Sequence, residues 1–233
     1  MPPSISIIVP AHNEEALLGG TLRALGRAAG SLGEDCEIVV VDDASTDRTA
    51  EIAAALGARV VRVDVRHIAA ARNAGARAAG GDVLVFVDAD TLVPPTVLAQ
   101  AIAAVRGGAV GGGATVRMTS GHAWWAERMM AAASLFMRTA RWAAGCFLFA
   151  RRDAFEQAGG FDERYFASEE IHLSRALKRL GRFVIIPDAV VTSGRKADTF
   201  SFTETVWQFL KLLRPSALKR RDGLTFWYGE RGQ

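Results

Sequence analysis

No apolar run in the 233-residue sequence approaches the roughly 20 residues that a membrane-crossing helix needs. The longest uncharged apolar stretch near the middle, Met129 to Met137, is hemmed in by Arg128 and Arg138. Cysteine is nearly absent. Cys36 and Cys146 make no disulfide framework, and each lies beside an apolar run, which suits a buried free thiol. The amino terminus passes almost directly into a strand pattern, so no signal peptide is expected. These absences point to a cytoplasmic protein, with peripheral contact at the inner face of a membrane as the alternative. There is no G-x-G-x-x-G after the first strand and no G-x-x-x-x-G-K-[ST] anywhere, which disfavours a dinucleotide-binding Rossmann enzyme and a P-loop NTPase. A strong charge imbalance is missing too: the net charge is +3, which suits anionic small ligands and gives no argument for nucleic acid. That excess is uneven, since residues 195–233 hold eight Lys/Arg against four acids.

Half of the residues, 50%, are hydrophobic, enough for the core of one α/β domain. The organising stretch is Gly80 to Thr91, GGDVLVFVDADT. An uninterrupted apolar run after Gly-Gly reads as a strand buried on both faces. It stops at Asp88-Ala89-Asp90, where an open α/β sheet places its ligands. The same sequence could be a solvated acidic turn. Ser4 to Pro10 reads as a first strand, followed by AHNEE, in which Asn13 is expected to cap a helix with Glu14 and Glu15 in its first turn. Glu37 to Val41 reads as a second strand ending in Asp42-Asp43, after which Ser45 or Thr46 is expected to cap a helix through Leu56. Arg59 to Val63 is a third strand, and Ile68 to Ala79 an Ala-rich helix carrying Arg72 and Asn73, closed by Gly80-Gly81. This β-α-β-α-β-α-β alternation argues for a parallel sheet with helices on both faces, and the acidic strand tips should converge on one edge. Carboxylates rather than a glycine loop would then face the ligand, which suits phosphates bridged by Mn²⁺ or Mg²⁺.

The set IIVPAHNEE, VVVDDAST and ARNAGARAAGGDVLVFVDADT resembles glycosyltransferase family 2, over roughly residues 4–195. The resemblance implies a GT-A fold: a Rossmann-like, mostly parallel central sheet flanked by helices, with a smaller acceptor-side region. Residues 1–195 would form that domain, with 1–91 the nucleotide-sugar-binding half and 92–195 the acceptor half, and 196–233 a basic amphipathic extension. It also implies a nucleotide-sugar donor. Pro10, Ala11 and Glu14 would line the nucleoside pocket, and Asp42 or Asp43 would pair with the base. Arg72 would approach the diphosphate or shape the pocket, although alone it reads equally as a helix-surface charge. Asp88, with Ala89 beside it, would contact the ribose or sugar, and Asp90 would bind the metal.

Beyond this point Pro94-Pro95 opens a helix to about Val105, and Val110 to Val116 and Cys146 to Ala150 read as strands. Segment 122–142, with Trp124, Trp125, Met129, Met130 and Trp142, reads as a core helix or as an acceptor-facing or interfacial one. Asp153 and Glu156 form a capping pattern for a short helix closed by Gly159-Gly160. GGFDE follows, then Glu169-Glu170. The family usually carries Glu-Asp there, the Asp serving as base in inverting members, so by register Glu170 takes the base position and Glu169 stands beside it. Both acids could instead simply favour the start of a helix Ile171 to Leu180. Phe183 to Pro187 and Ala189 to Thr192 read as two short strands. Relatives that use a late His on the metal have it near here; this chain has VVTSGRK. Arg195 could neutralise the leaving diphosphate. Segment 200–221 pairs an apolar stripe with a basic cluster and would dock on the core or touch a membrane surface. The Q-x-x-R-W motif of processive synthases is absent, which by resemblance implies transfer of one sugar per encounter.

The reading is therefore a metal-dependent glycosyltransferase moving a single sugar from a nucleotide diphosphate-sugar to an acceptor hydroxyl or lipid phosphate. A non-catalytic nucleotide-sugar-binding or scaffold protein is the competing reading, motivated by the Glu-Glu departure and the missing late His. A sugar nucleotidyltransferase ranks lowest, because AHNEE offers no glycine-rich loop with Arg and Lys.

Overall fold

A computed structural model describes residues 4–119, 128 and 138–193. Arg195, the extension 196–233 with its stripe 200–221, and segment 122–142 apart from Arg128 and residues 138–142 lie outside the described residues. The strands are β1 (Ile5–Ala11), β2 (Cys36–Asp43), β3 (Arg59–Val63), β4 (Val83–Val87), β5 (Thr91–Leu92), β6 (Gly111–Met118), β7 (Phe147–Arg151) and β8 (Phe183–Thr192). The helices are α1 (Leu18–Gly30), α2 (Thr49–Ala55), α3 (Ile68–Ala78), α4 (Pro95–Arg106), α5 (Arg152–Gln157) and α6 (Glu169–Leu180).

One sheet runs in the order β3-β2-β1-β4-β7-β6-β8-β5. Its first four strands are parallel, as the βαβ alternation requires. β7 then enters antiparallel to both β4 and β6, β6 and β8 are parallel, and β5 pairs antiparallel with β8. The sheet is thus parallel from β1 to β4 and mixed beyond them.

Alternation along the buried strands splits the core in two. Ile5, Ile7 and Val9 of β1 and Val83, Val85 and Val87 of β4 pack toward α1 and α4. Ile8, Val41, Leu84 and Phe86 pack on the other face, toward α3, α5 and α6. α3 approaches that face closely because of Gly75: a Cβ there would stand 2.4 Å from Ile8 Cγ2 and 2.8 Å from Val41 Cγ2. Gly75→Ala should therefore destabilise the protein by about 1–3 kcal/mol through overpacking, despite alanine's better helix propensity, and thermal denaturation would measure it.

Several sequence expectations need correction. Asn13 does not cap a helix. α1 begins at Leu18 with no side-chain cap, so Glu14 and Glu15 precede it rather than occupy its first turn. Asn13 instead takes a left-handed turn at φ 51°, and its Oδ1 accepts from the Thr46 N–H. Neither Ser45 nor Thr46 caps α2, which starts at Thr49; Asp47 accepts the Thr49 N–H there. Phe183–Thr192 is one strand rather than two. Its register against β6 jumps from Ala114↔Ile186 to Thr115↔Ala189, so Pro187-Asp188 form a bulge that relieves the proline of a ladder donor. Both cysteines are free and only partly buried. Among the described residues no helix is long and apolar enough to cross a membrane.

Candidate active site

The parallel strands β1 to β4 open their C-terminal ends on one edge, the place where such sheets bind ligands. β7, running the other way, brings its start there: Val87 pairs with Phe147, and the Asp88 N–H donates to Cys146 O at 3.3 Å. β5 and β8 deliver Thr91 and Thr192 to the same edge. The expected convergence of Asp42-Asp43 with Asp88–Asp90 is present.

Arg72 is the hub. It projects from α3 onto the strand tips and is 3% exposed. Nη1 donates to Glu169 Oε1 at 2.6 Å, and Nη2 donates to Asp88 Oδ1 and Gly145 O, both at 2.8 Å. The guanidinium also lies 5.2 Å from the centroid of the Phe161 ring. Burial opposes its charge, but the carboxylates of Asp88, Glu169 and Glu170 outweigh that and hold it above the ordinary arginine value. With both Nη groups engaged inside the protein, Arg72 ties Asp88 and the Gly145 carbonyl to Glu169.

Glu169 and Glu170 occupy the first turn of α6 and have different surroundings. Glu169 is buried against Arg72. Glu170 lies beside the hub without pairing to it: a methyl at Gly145 would stand 3.6 Å from its carboxyl carbon and 3.5 Å from Arg72 Nη2. Burial first, and then the charge of Glu169, push the Glu170 carboxyl up to about 8. His172 stacks on Tyr165 at 3.9 Å between ring centroids, a packing role.

α6 is placed by the loop before it, and Asn73 holds that loop. Its Nδ2 donates to Phe161 O at 2.9 Å and Glu163 Oε1 at 2.8 Å, while Oδ1 accepts from the Phe161 N–H at 2.9 Å. Gly160, at φ 70°, turns the chain into this grip, where a Cβ would crowd Asn73 Oδ1 at 2.9 Å. Adjacent residues of α3 thus bind the GGFDE loop and the acidic helix. Asn73→Ala would strip partners from the buried Phe161 backbone and should cost about 2 kcal/mol, read from a denaturant midpoint.

The two carboxylates ending β2 point to opposite faces. Asp43, on the Val41 face with Arg72 and Asp88, accepts three backbone N–H groups: Val65 at 2.8 Å, Arg66 at 2.9 Å and His67 at 3.2 Å. Asp42 accepts the Ser45 N–H and lines a cleft of about 320 Å³ with Ala44, Ser45, Asp47 and Arg62. Ala11 and Ala89 pack their side chains into the α1/α4 core, and Thr21 Oγ1 donates to Ala89 O, so only their backbones are left for a ligand. Pro10 is buried at the tip of β1. Glu14 is buried too, its N–H donating to Thr49 Oγ1 at 2.8 Å.

Asp90 is partly exposed. Its Oδ1 accepts long contacts from Thr91 Oγ1 at 3.5 Å and Thr192 Oγ1 at 3.4 Å. Among the described residues no cluster of three or more His, Cys, Asp or Glu could hold a metal. What stands at this edge is Asp88, Asp90 and two threonine hydroxyls. That oxygen-only set fits a hard divalent cation that takes one or two carboxylates and fills its shell with substrate phosphate and water.

Sequence reasoning assigned no role to Asn73, His67 or Arg66. His67 caps α3 by accepting the Ala70 N–H on Nδ1, and its ring packs 4.4 Å from that of Phe166. Local sequence gave no signal for Asn73, whose partners Phe161 and Glu163 lie 88 and 90 positions away. Arg66 and His67, on a loop between elements, gave none.

The sequence model described as Glycosyl transferase family 2 matches residues 6–165. Validoxylamine A glucosyltransferase of Streptomyces hygroscopicus subsp. jinggangensis (strain 5008) is 38% identical over 111 residues, 45% of this chain and 26% of that protein. Undecaprenyl-phosphate 4-deoxy-4-formamido-L-arabinose transferase of Pseudomonas paraeruginosa (strain DSM 24068 / PA7) is 41% identical over 100 residues, 39% of this chain and 29% of that protein. The match thus spans little more than a quarter of these curated relatives. Mannosyltransferase PcManGT from Pyrobaculum calidifontis, solved with GDP-Man and Mn²⁺, superposes at a TM-score of 0.68 with 23% identity, covering 94% of this chain and 68% of that one. The fold is GT-A.

Proposed function

The chain belongs to glycosyl transferase family 2, and we propose that it moves one sugar from a nucleoside diphosphate-sugar to an acceptor. The observation that carries this reading is the Arg72 hub, which joins the donor-side Asp88 to the acidic helix that bears Glu170. The donor lies along the strand tips, its diphosphate toward Asp88 and Asp90 and its nucleoside toward β1 and β2. Asp90, with Asp88 beside it, would hold Mn²⁺ or Mg²⁺; when bound, the cation supplies charge stabilisation for the departing diphosphate. In the transfer, the acceptor oxygen forms a bond to the anomeric carbon. The bond from that carbon to the diphosphate oxygen breaks and leaves its electron pair on the diphosphate. Glu170 takes the proton from the acceptor hydroxyl.

A base raised to about 8 is matched to a hydroxyl acceptor near neutral pH. A lipid phosphate needs no such base; the undecaprenyl-phosphate transferase named above keeps that acceptor as the alternative, with contact at a membrane surface through segment 122–142 or 200–221. Arg195 is kept as a donor-side cation. Calorimetric titration with UDP-, GDP- and TDP-sugars, each with Mn²⁺ or Mg²⁺, tests the donor site. Saturable binding of at least one is expected, and none binding would sink the proposal. The scaffold reading draws on Glu-Glu in place of Glu-Asp and on the lack of a late His in VVTSGRK; it expects the same binding with no turnover.

A further inference from the structure

One surface of the protein carries cations without matching acids. On α6, Arg175, Lys178 and Arg179 stand at i, i+3 and i+4 and share a face, on the side away from the buried Leu173, Ser174 and Leu177. Residues 138–143 run beside that helix. Lys178 Nζ donates to Ala140 O at 2.9 Å, the Arg175 guanidinium lies 4.8 Å from the centroid of a Trp142 ring, and the Ala143 N–H donates to Ser174 Oγ at 3.1 Å. This stretch adds Arg138 and Arg141, so that five exposed cations make one strip. None of the ion pairs among the described residues involves them, whereas Arg59, Arg106, Arg151 and Arg164 each face a carboxylate. Lys178 and Arg179 also suit the carboxyl end of the helix dipole, but Arg175, a turn earlier, does not need to. Arg175 and Arg179, at i and i+4, repel one another, so helix stability gives no reason for the strip.

The strip leads to the candidate active site. Arg175 is about 8 Å along the helix from Glu170, and Arg179 about 14 Å. The neighbouring stretch continues from Trp142 to Gly145, where a methyl group would stand against both Arg72 and Glu170. The exposed large hydrophobics among the described residues, Leu56, Val65 and Leu92, all lie elsewhere, so the strip offers charge without an apolar wedge to enter a bilayer. Charge and continuity with the site together favour a chain-like anion. We propose that α6 and residues 138–142 hold the acceptor, a chain whose repeated anionic groups, carboxylate or phosphate, lie along the five cations while a hydroxyl at its end reaches Glu170. Naming that chain the acceptor rests on the transferase reading above.

Hexagalacturonate and linear polyphosphate serve as probes, one carrying carboxylates and the other phosphates. Neutral dextran oligomers and mixed phosphatidylcholine–phosphatidylglycerol vesicles are run alongside. Binding is measured on the full chain and on three variants. Arg175→Gln/Lys178→Gln/Arg179→Gln strips the helix face with a good helix former. Arg179→Glu reverses one charge and leaves the contacts of Arg175 and Lys178 in place. Arg23→Gln/Arg27→Gln/Arg77→Gln removes equal charge from exposed positions of α1 and α3. The parent should bind at least one anionic chain saturably and no dextran. The α6 triple variant should lose about tenfold or more and Arg179→Glu several-fold, while the α1/α3 triple variant stays within about twofold. A UDP- or GDP-sugar with Mg²⁺ should bind equally well with and without the chain.

Equal losses in the two triple variants would show general charge attraction. Displacement of the donor would place the anion in the donor site. Binding through α6 to the vesicles but to neither chain would make the strip a bilayer contact. Each of these overturns the assignment. If a donor binds and neither chain does, only this inference fails; if no donor binds, the transferase reading fails and the acceptor assignment with it.

Discussion

Arg72→Ala should lower stability by about 3–5 kcal/mol and remove transfer altogether. The substitution leaves Glu169 buried and unpaired, frees Asp88, and takes a donor from Gly145 O. Arg72→Lys should fail nearly as badly, since one ammonium cannot span Glu169 on one side and Asp88 with Gly145 on the other. A denaturant midpoint measures the loss. The double variant Arg72→Met/Glu169→Met separates structure from chemistry. Removing both buried charges should restore most of the stability, because an apolar pair of similar volume replaces an ion pair at little cost. It should not restore transfer, because Asp88 would still lack its partner. Recovery of activity in that double variant would refute the role given to the hub.

Glu170→Gln should reduce transfer to a hydroxyl acceptor by about 10²–10⁴-fold while donor binding stays within a factor of two or so. The amide fills the same space and cannot take a proton. The pH dependence is a sharper signature. A base works only when ionised, so the parent rate should climb with pH and level off above about 8. That limb should vanish in Glu170→Gln. Stability should move the opposite way. The folded protein holds the Glu170 proton above the ordinary value of 4.5, so this group's contribution is complete below that value and is lost as pH rises through about 8. Glu170→Gln has no charge to bury and should be more stable than the parent at pH 8. A residue kept at the expense of stability is the expected mark of a functional group.

The first four strands were legible because their signals are local. VLVFV, a five-residue run rich in β-branched residues after Gly-Gly, reads as a strand buried on both faces, and β3 and β4 appear at their expected bounds. Acids at consecutive strand ends foretold the edge where they meet. Helix starts were less legible, for a physical reason. Asn13, Ser45 and Thr46 look like caps, but their polar groups bond across the two loops instead: Asn13 N–H to Ser45 Oγ, and Thr46 N–H to Asn13 Oδ1. Nothing in local sequence distinguishes those partners from a helix terminus. Arg72 was recognised as a site residue, but its pairing with Glu169 spans 97 positions and depends on how α6 docks. Asn73 is the same case, one position on. The division of labour between Glu169 and Glu170 was equally hidden, since adjacent identical residues separate only when one of them finds the arginine.

The most direct measurement is release of nucleoside diphosphate from a panel of nucleotide sugars at pH 8 with Mn²⁺, comparing the parent chain with Asp90→Ala and Glu170→Gln. The account predicts that at least one sugar is turned over. Asp90→Ala should lose that turnover together with metal-dependent donor binding, while Glu170→Gln loses turnover alone. A parent chain that turns over none of the panel, or variants that turn over the donor as fast as the parent, would contradict it.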